Sequence, residues 1–164
     1  MRIKTTDFKF DYTRYIEGMG KGLVLFKVKA NKKAIGQNYH YFYEDKKKPP
    51  LDITVNPKNK MIEYVSFFAQ DEKIGQMSLN LNITFDCFNI DANPPEEKIM
   101  KNFILNFNDN NLYLLDSEAS QYLIGYEINI DNHILFDQDN IFRGILLSNI
   151  SDEEIKDMRQ SAVL

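Results

Sequence analysis

A single cysteine, two histidines and no apolar run of membrane-span length are the shortages that frame this 164-residue chain. With one thiol there is no internal disulfide, which points to a reducing compartment. Cys87 lies in an alternating segment, where it reads as a small apolar core residue. No stretch approaches the roughly 20 apolar residues that a bilayer span requires. The start, MRIKTTDFKF, holds no apolar run of the signal type. The expectation is a cytoplasmic protein with no membrane partner, and the abundance of Asn, Lys and Ile hints at an AT-rich bacterial genome.

The same shortages thin out the catalytic options. His40 sits between Tyr39 and Tyr41 on an expected strand, and His133 sits in an expected Asp131-Asn132 turn; neither has another His or Cys within ten residues, so zinc is not expected. A Cys87–His dyad is the only thiol-based arrangement available, and a core role explains Cys87 more simply. Asp137-Gln138-Asp139-Asn140 and Asp86 to Asp91 resemble calcium-loop chemistry, but Ile141 breaks the EF-hand pattern and turn formation accounts for these residues. The glycines are scattered, and Gly18-Met19-Gly20-Lys21-Gly22 lacks the spacing of a phosphate loop. No catalytic residue, metal or cofactor is therefore expected.

What is present is a large apolar and aromatic content, 43% hydrophobic with 12 Phe and 9 Tyr, enough to build a core without staples. The apolar residues recur with period two, the spacing that puts alternate side chains on opposite faces of a strand. Phe8, Phe10 and Tyr12 alternate ahead of a Gly-containing turn, and Val24, Phe26 and Val28 alternate after it. Tyr39 to Glu44 reads as a third strand. Lys46-Lys47-Lys48-Pro49-Pro50 reads as a solvated connection, because prolines lack ladder donors and lysines resist burial. The Asn56 to Lys60 turn joins Leu51–Val55 to Met61–Ala69 in the clearest hairpin, whose second strand carries apolar residues on both faces, as a central strand would.

Met77 to Cys87 alternates over so many residues that a strand of about 40 Å would result, which calls for a bend, a bulge or a crossing between sheets. Another hairpin is expected at Phe103–Phe107 and Leu112–Leu115, then a long run at Tyr122 to Ile130, and strands at Ile134–Phe136 and Ile141–Leu147. The period changes only at the end, where Ser151 and Glu154 form a capping box and Ile150 and Ile155 a hydrophobic staple. A short helix should begin near Asp152 and dock through Ile155 and Met158. The expected fold is thus one β-rich domain over residues 1–164. It is an antiparallel meander forming a strongly curved sheet or a two-layer sandwich, closed by a short C-terminal helix.

Charge is distributed unevenly along the chain. Residues 1–60 carry 14 Lys/Arg against 6 Asp/Glu, a net of +8, and residues 61–164 carry 6 against 18, a net of −12. If the halves occupy different surfaces, the acidic one can steer and hold a basic partner; if their strands interleave, the asymmetry cancels. Lysines 27, 29, 32, 33 and 46–48 near Tyr39, Tyr41 and Tyr43 could serve nucleic acid, but the acidic whole, with a pI near 5.2, argues against it.

Leu51-Asp52-Ile53-Thr54-Val55-Asn56-Pro57 followed by Ile62-Glu63-Tyr64-Val65-Ser66-Phe67-Phe68 resembles hairpins of small bacterial proteins, some of which belong to toxin–immunity systems. The resemblance implies a cytoplasmic protein that blocks a basic toxin domain by direct binding. The expected function is accordingly non-enzymatic protein binding through acidic loops at Asp109, Glu118, Asp131, Asp137 and Asp139. The alternatives are a β-domain that binds a small molecule or carbohydrate in an aromatic-lined cavity, and a self-assembling subunit.

Overall fold

A computed structural model describes residues 2–4, 11–33, 35–45, 47–87, 89–91 and 99–164, with the backbone alone for 2–4, 87 and 89–91. The chain is mainly β with one C-terminal helix. Its strands are β1 (Arg2–Lys4), β2 (Tyr12–Gly20), β3 (Leu23–Ala30), β4 (Tyr39–Asp45), β5 (Lys48–Asn56), β6 (Met61–Gln70), β7 (Asn82–Cys87), β8 (Asn89–Asp91), β9 (Ile99–Met100), β10 (Phe103–Asn108), β11 (Asn111–Asp116), β12 (Tyr122–Asn129), β13 (Asn132–Phe136) and β14 (Phe142–Leu147). The helix α1 spans Asp152–Gln160.

Two six-stranded sheets form. The N-terminal sheet runs β2-β3-β6-β5-β4-β9, the C-terminal sheet β10-β11-β14-β13-β12-β7, and β1 pairs with β8 in a separate ribbon. Neither large sheet is purely antiparallel, and this corrects the meander expected from sequence. β9 pairs parallel to β4, and β7 parallel to β12. Both parallel strands lie at a sheet edge and reach it from a distant part of the chain, so no tight hairpin imposes the antiparallel direction.

The hairpins follow the alternation. β5 and β6 pair antiparallel across the Asn56 to Lys60 turn, where Asn56 Oδ1 accepts from the Lys58 and Asn59 amides. β6 lies in the middle of its sheet as expected, with Val65, Phe67 and Ala69 buried and Tyr64, Ser66 and Phe68 half-buried on the other face. β10 and β11 pair as predicted, and so do β12, β13 and β14. One contiguous core draws on both sheets: Phe26 and Ile53 from the first, Leu112, Ile134 and Ile145 from the second. The Tyr43 ring of β4 packs at 4.6 Å, tilted by 36°, on Phe142 of β14.

Three expectations change. The Met77 to Cys87 alternation yields a strand only from Asn82, and Met77 is 73% exposed. The residues before Asn82 carry the chain from the N-terminal sheet to the C-terminal one. They are gripped by Asn106, whose side-chain amide donates to the Met77 carbonyl (2.8 Å) and accepts from its N–H (3.1 Å). The Lys48-Pro49-Pro50 stretch opens β5 instead of connecting strands. The prolines sit opposite an irregularity between Tyr43 and Asp45 of β4, where ladder donors are not needed, and the half-buried Lys48 reaches Glu72 at 2.7 Å. His133 lies inside β13, buried, not in a turn. The expected strand residues Phe8 and Phe10, the Cys87 side chain and Lys46 fall outside the described residues.

The helix forms as its sequence dictates. Ser151 Oγ accepts from the Glu154 amide and Glu154 Oε2 from the Ser151 amide, which completes the capping box, while Ile155 and Met158 turn inward. α1 packs beside edge strand β2. No helix among the described residues is long and apolar enough to cross a membrane.

Candidate functional site

The charge asymmetry survives folding. Every strand of the C-terminal sheet, and α1, comes from the −12 part of the chain, whereas four of the six strands of the N-terminal sheet come from the +8 part. Strand register then decides where the acidic loops sit. Leu147 of β14 pairs with Leu112 and with Asn132, so the β10–β11 and β12–β13 loops lie at the same end of the sheet. Gly144 and Phe142 pair toward Leu115 and Phe136, so the Asp116 to Glu118 turn and the Asp137 to Asn140 loop lie at the other.

The five expected partner-binding residues are therefore divided. Asp109 and Asp131 share the Leu147 end; Glu118, Asp137 and Asp139 share the Phe142 end. At the Leu147 end the Ile150 amide donates to the Asn110 carbonyl (2.8 Å) and the Ser148 amide to the Asp131 carbonyl (2.7 Å). These bonds set the start of α1 between the two loops and add the exposed Asp152 and Glu153 to the exposed Asp109. Asp131 is half-buried, with Oδ1 accepting from Asn149 Nδ2 at 2.7 Å. Glu154 is drawn inward to Arg14 of β2.

The Phe142 end is organised by Arg143. Its Nε donates to Asp137 Oδ2 (2.8 Å) and its Nη1 to Asp116 Oδ2 (2.9 Å), and Lys101 Nζ donates to the same Asp116 oxygen at 2.6 Å. Asp137 Oδ1 also accepts from the Asp139 and Ile141 amides, which shapes its loop. Burial pushes both carboxyls up, but these donors outweigh it and hold Asp116 and Asp137 below the usual carboxylate range. Asp137 is thus buried and committed to Arg143, while Asp139 is exposed. Glu118 is 82% exposed and lies 3.9 Å from Arg143. Beside this network opens a cleft of about 530 Å³, bordered by Ile99 and Met100 of β9 and by Asp45, Lys47, Lys101 and Glu118.

The histidines lie elsewhere. On the outer face of the N-terminal sheet the register aligns His40, Thr54 and Tyr64. Asp52, 8% exposed, accepts from Tyr64 (2.8 Å) and Thr54 (3.0 Å) and contacts His40 Nδ1 at 3.2 Å. Thr54 Oγ1 meets that same nitrogen at 3.0 Å, so hydroxyl and carboxylate share one ring atom, unlike the two-sided relay of a hydrolytic triad. Tyr41 and Tyr43, weighed as stacking residues for nucleic acid, are buried on the inner face; His40 and Phe42 point outward. On the C-terminal sheet, His133 packs 4.7 Å from Phe85, with Nδ1 unpartnered among the described residues. Burial lowers its pKa, against a raising influence from Glu127 and Asp131.

Sequence reading missed the Arg143 and Arg14 centres. Arg143 is an isolated cation in an acidic stretch, and that isolation is the signal that it is spent on neighbouring carboxylates; Arg14 lies in the basic part of the chain, 140 positions from Glu154, and carries no such signal. No group of three or more metal-ligating side chains converges among the described residues. No protein-family model matches the chain, and no curated protein matches it.

Proposed function

We propose that this chain is a non-enzymatic, cytoplasmic protein-binding domain, a single two-layer β-sandwich that engages a basic protein surface. A bacterial immunity protein that occupies the phosphate-binding face of a basic toxin domain is the kind of role that fits. The observation that carries the reading is the gathering of Asp109, Asp131, Asp152 and Glu153 at the Leu147 end, three of them exposed. The loops that carry Asp109 and Asp131 are centred three strand spacings apart in the sheet, roughly 14 Å, a span that one basic patch can cover. Complementary charge at this end raises the encounter rate and disfavours acidic competitors.

Capture of a partner from the source organism by the wild-type chain and by a variant with Asp109→Lys and Glu153→Lys tests the reading. Both side chains are exposed, so the fold should persist; loss of capture supports the reading, and unchanged capture overturns it. Asp137 is unsuitable for this purpose, because reversing it breaks the Arg143 network. The second reading, a small-ligand domain, is favoured by the cleft at the Phe142 end, whose volume lies within the range of ligand sites.

A further inference from the structure

We infer that the cleft at the Phe142 end is a seat for an alkyl cation, an ammonium or guanidinium group carried on a short apolar arm. This site is separate from the acidic end on which the protein-binding reading rests. The charges inside the network cancel: Lys101 and Arg143 are matched by Asp116 and Asp137 at 2.6 to 2.9 Å. Around them, Asp45 and Glu118 stand against Lys47 among the described lining residues, so the surroundings remain negative. Glu118 is the carboxylate with room for a new partner. Arg143 reaches it only at 3.9 Å while giving shorter contacts to Asp116 and Asp137.

The cleft already displays this chemistry once. Its own Lys101 brings an ammonium to Asp116 Oδ2 at 2.6 Å with only 14% of the side chain exposed. A second cation at Glu118 would lay its methylenes on Ile99 and Met100, which are 47% and 52% exposed and border the same space. An anion of the same size would find Lys47 but meet Asp45 and Glu118. Charge therefore selects the cation and the apolar border selects the arm. The cation could belong to a free diamine or to a lysine or arginine of a peptide, and the two are distinguishable.

The test is amide chemical-shift titration of the full chain at low salt with 1,5-diaminopentane, with acetyl-Leu-Arg-Leu-amide, and with glutarate as the anionic control. Saturable shifts at residues 99–102 and 116–118 with a cationic probe, weakened at least fivefold by Glu118→Gln, are expected. Tighter binding of the peptide identifies a protein segment as the ligand, and tighter binding of the diamine a free small cation. Equal binding of glutarate, no saturable shift with either cation, or an unaltered Glu118→Gln titration overturns the inference. Asp109→Lys, at the far end, should leave the shifts as in the wild type, so this cleft and the acidic end are judged separately.

Discussion

Arg14 and Glu154, 140 positions apart in sequence, meet in a two-pronged ion pair: Nε to Oε1 at 2.8 Å and Nη2 to Oε2 at 2.9 Å. The same guanidinium donates to Asn132 Oδ1 and to the Ser148 and Asn149 carbonyls, so one side chain on β2 ties the N-terminal sheet to α1 and to the loop that precedes it. Arg14→Ala should lower stability to urea by about 3 kcal/mol, because it leaves a half-buried carboxylate and loop carbonyls without their donor. Arg14→Lys should recover only part, since an ammonium cannot match the fork.

Acid should unfold the protein through the Phe142 end. Asp116 and Asp137 have folded pKa values below their unfolded ones, so their contribution is complete above the unfolded value near 4 and is lost as pH falls through the folded values. Glu154 acts in the same direction. Arg143→Met should cost about 3 kcal/mol at pH 7 and make the loss between pH 5 and 3 shallower, as followed by denaturant midpoints. An acid profile as steep as that of the wild type would refute the assignment.

His133 behaves in the opposite chemical sense but adds to the same trend. Burial keeps it neutral, so its contribution is complete above its unfolded value of about 6.5 and falls as pH drops below that toward the lowered folded value. His133→Leu should flatten stability between pH 7 and 5. It should also raise stability by about 1 kcal/mol at pH 6, since it removes a buried nitrogen that has no partner among the described residues.

Leu135, fully buried on the outer face of the C-terminal sheet, pairs with Gly125 on one side and Gly144 on the other. A methyl group on Gly125 would meet the Phe85 ring at 2.9 Å, and Phe85 is 59% exposed and able to swing away. One on Gly144, at φ +157, would strike the Leu114 carbonyl, which cannot move without breaking the sheet. Gly125→Ala should therefore cost about 1 kcal/mol and Gly144→Ala about 3 kcal/mol or more, read from thermal midpoints.

The hairpins and the helix were legible because local residues determine them. The Asn56 to Lys60 turn and the Ser151–Glu154 box need only their neighbours. Partner choice was not legible where it depends on distant strands: nothing near Asn82 or Ile99 announces a parallel pairing with Tyr122 or Tyr43. Alternation also misleads when the chain is crossing between sheets, as Met77 shows, because an apolar residue there can lie in solvent. The acidic loops were recognisable one by one, but their division between two ends follows from the register of β14. The pairing of Asp137 with Arg143 depends on side chains that meet only when the loop closes.

The grip of Asn106 on Met77 has a consequence for how molecules meet. β10 borders the C-terminal sheet, and its outward Leu105 carbonyl and Phe107 amide are already occupied by Gly75 at 3.0 and 2.7 Å. By imitating a peptide group, Asn106 extends that cover by one more step and holds the crossing chain along the border. A neighbouring molecule arriving strand-first finds those ladder positions filled, so the sheet is guarded here against growing into a polymer.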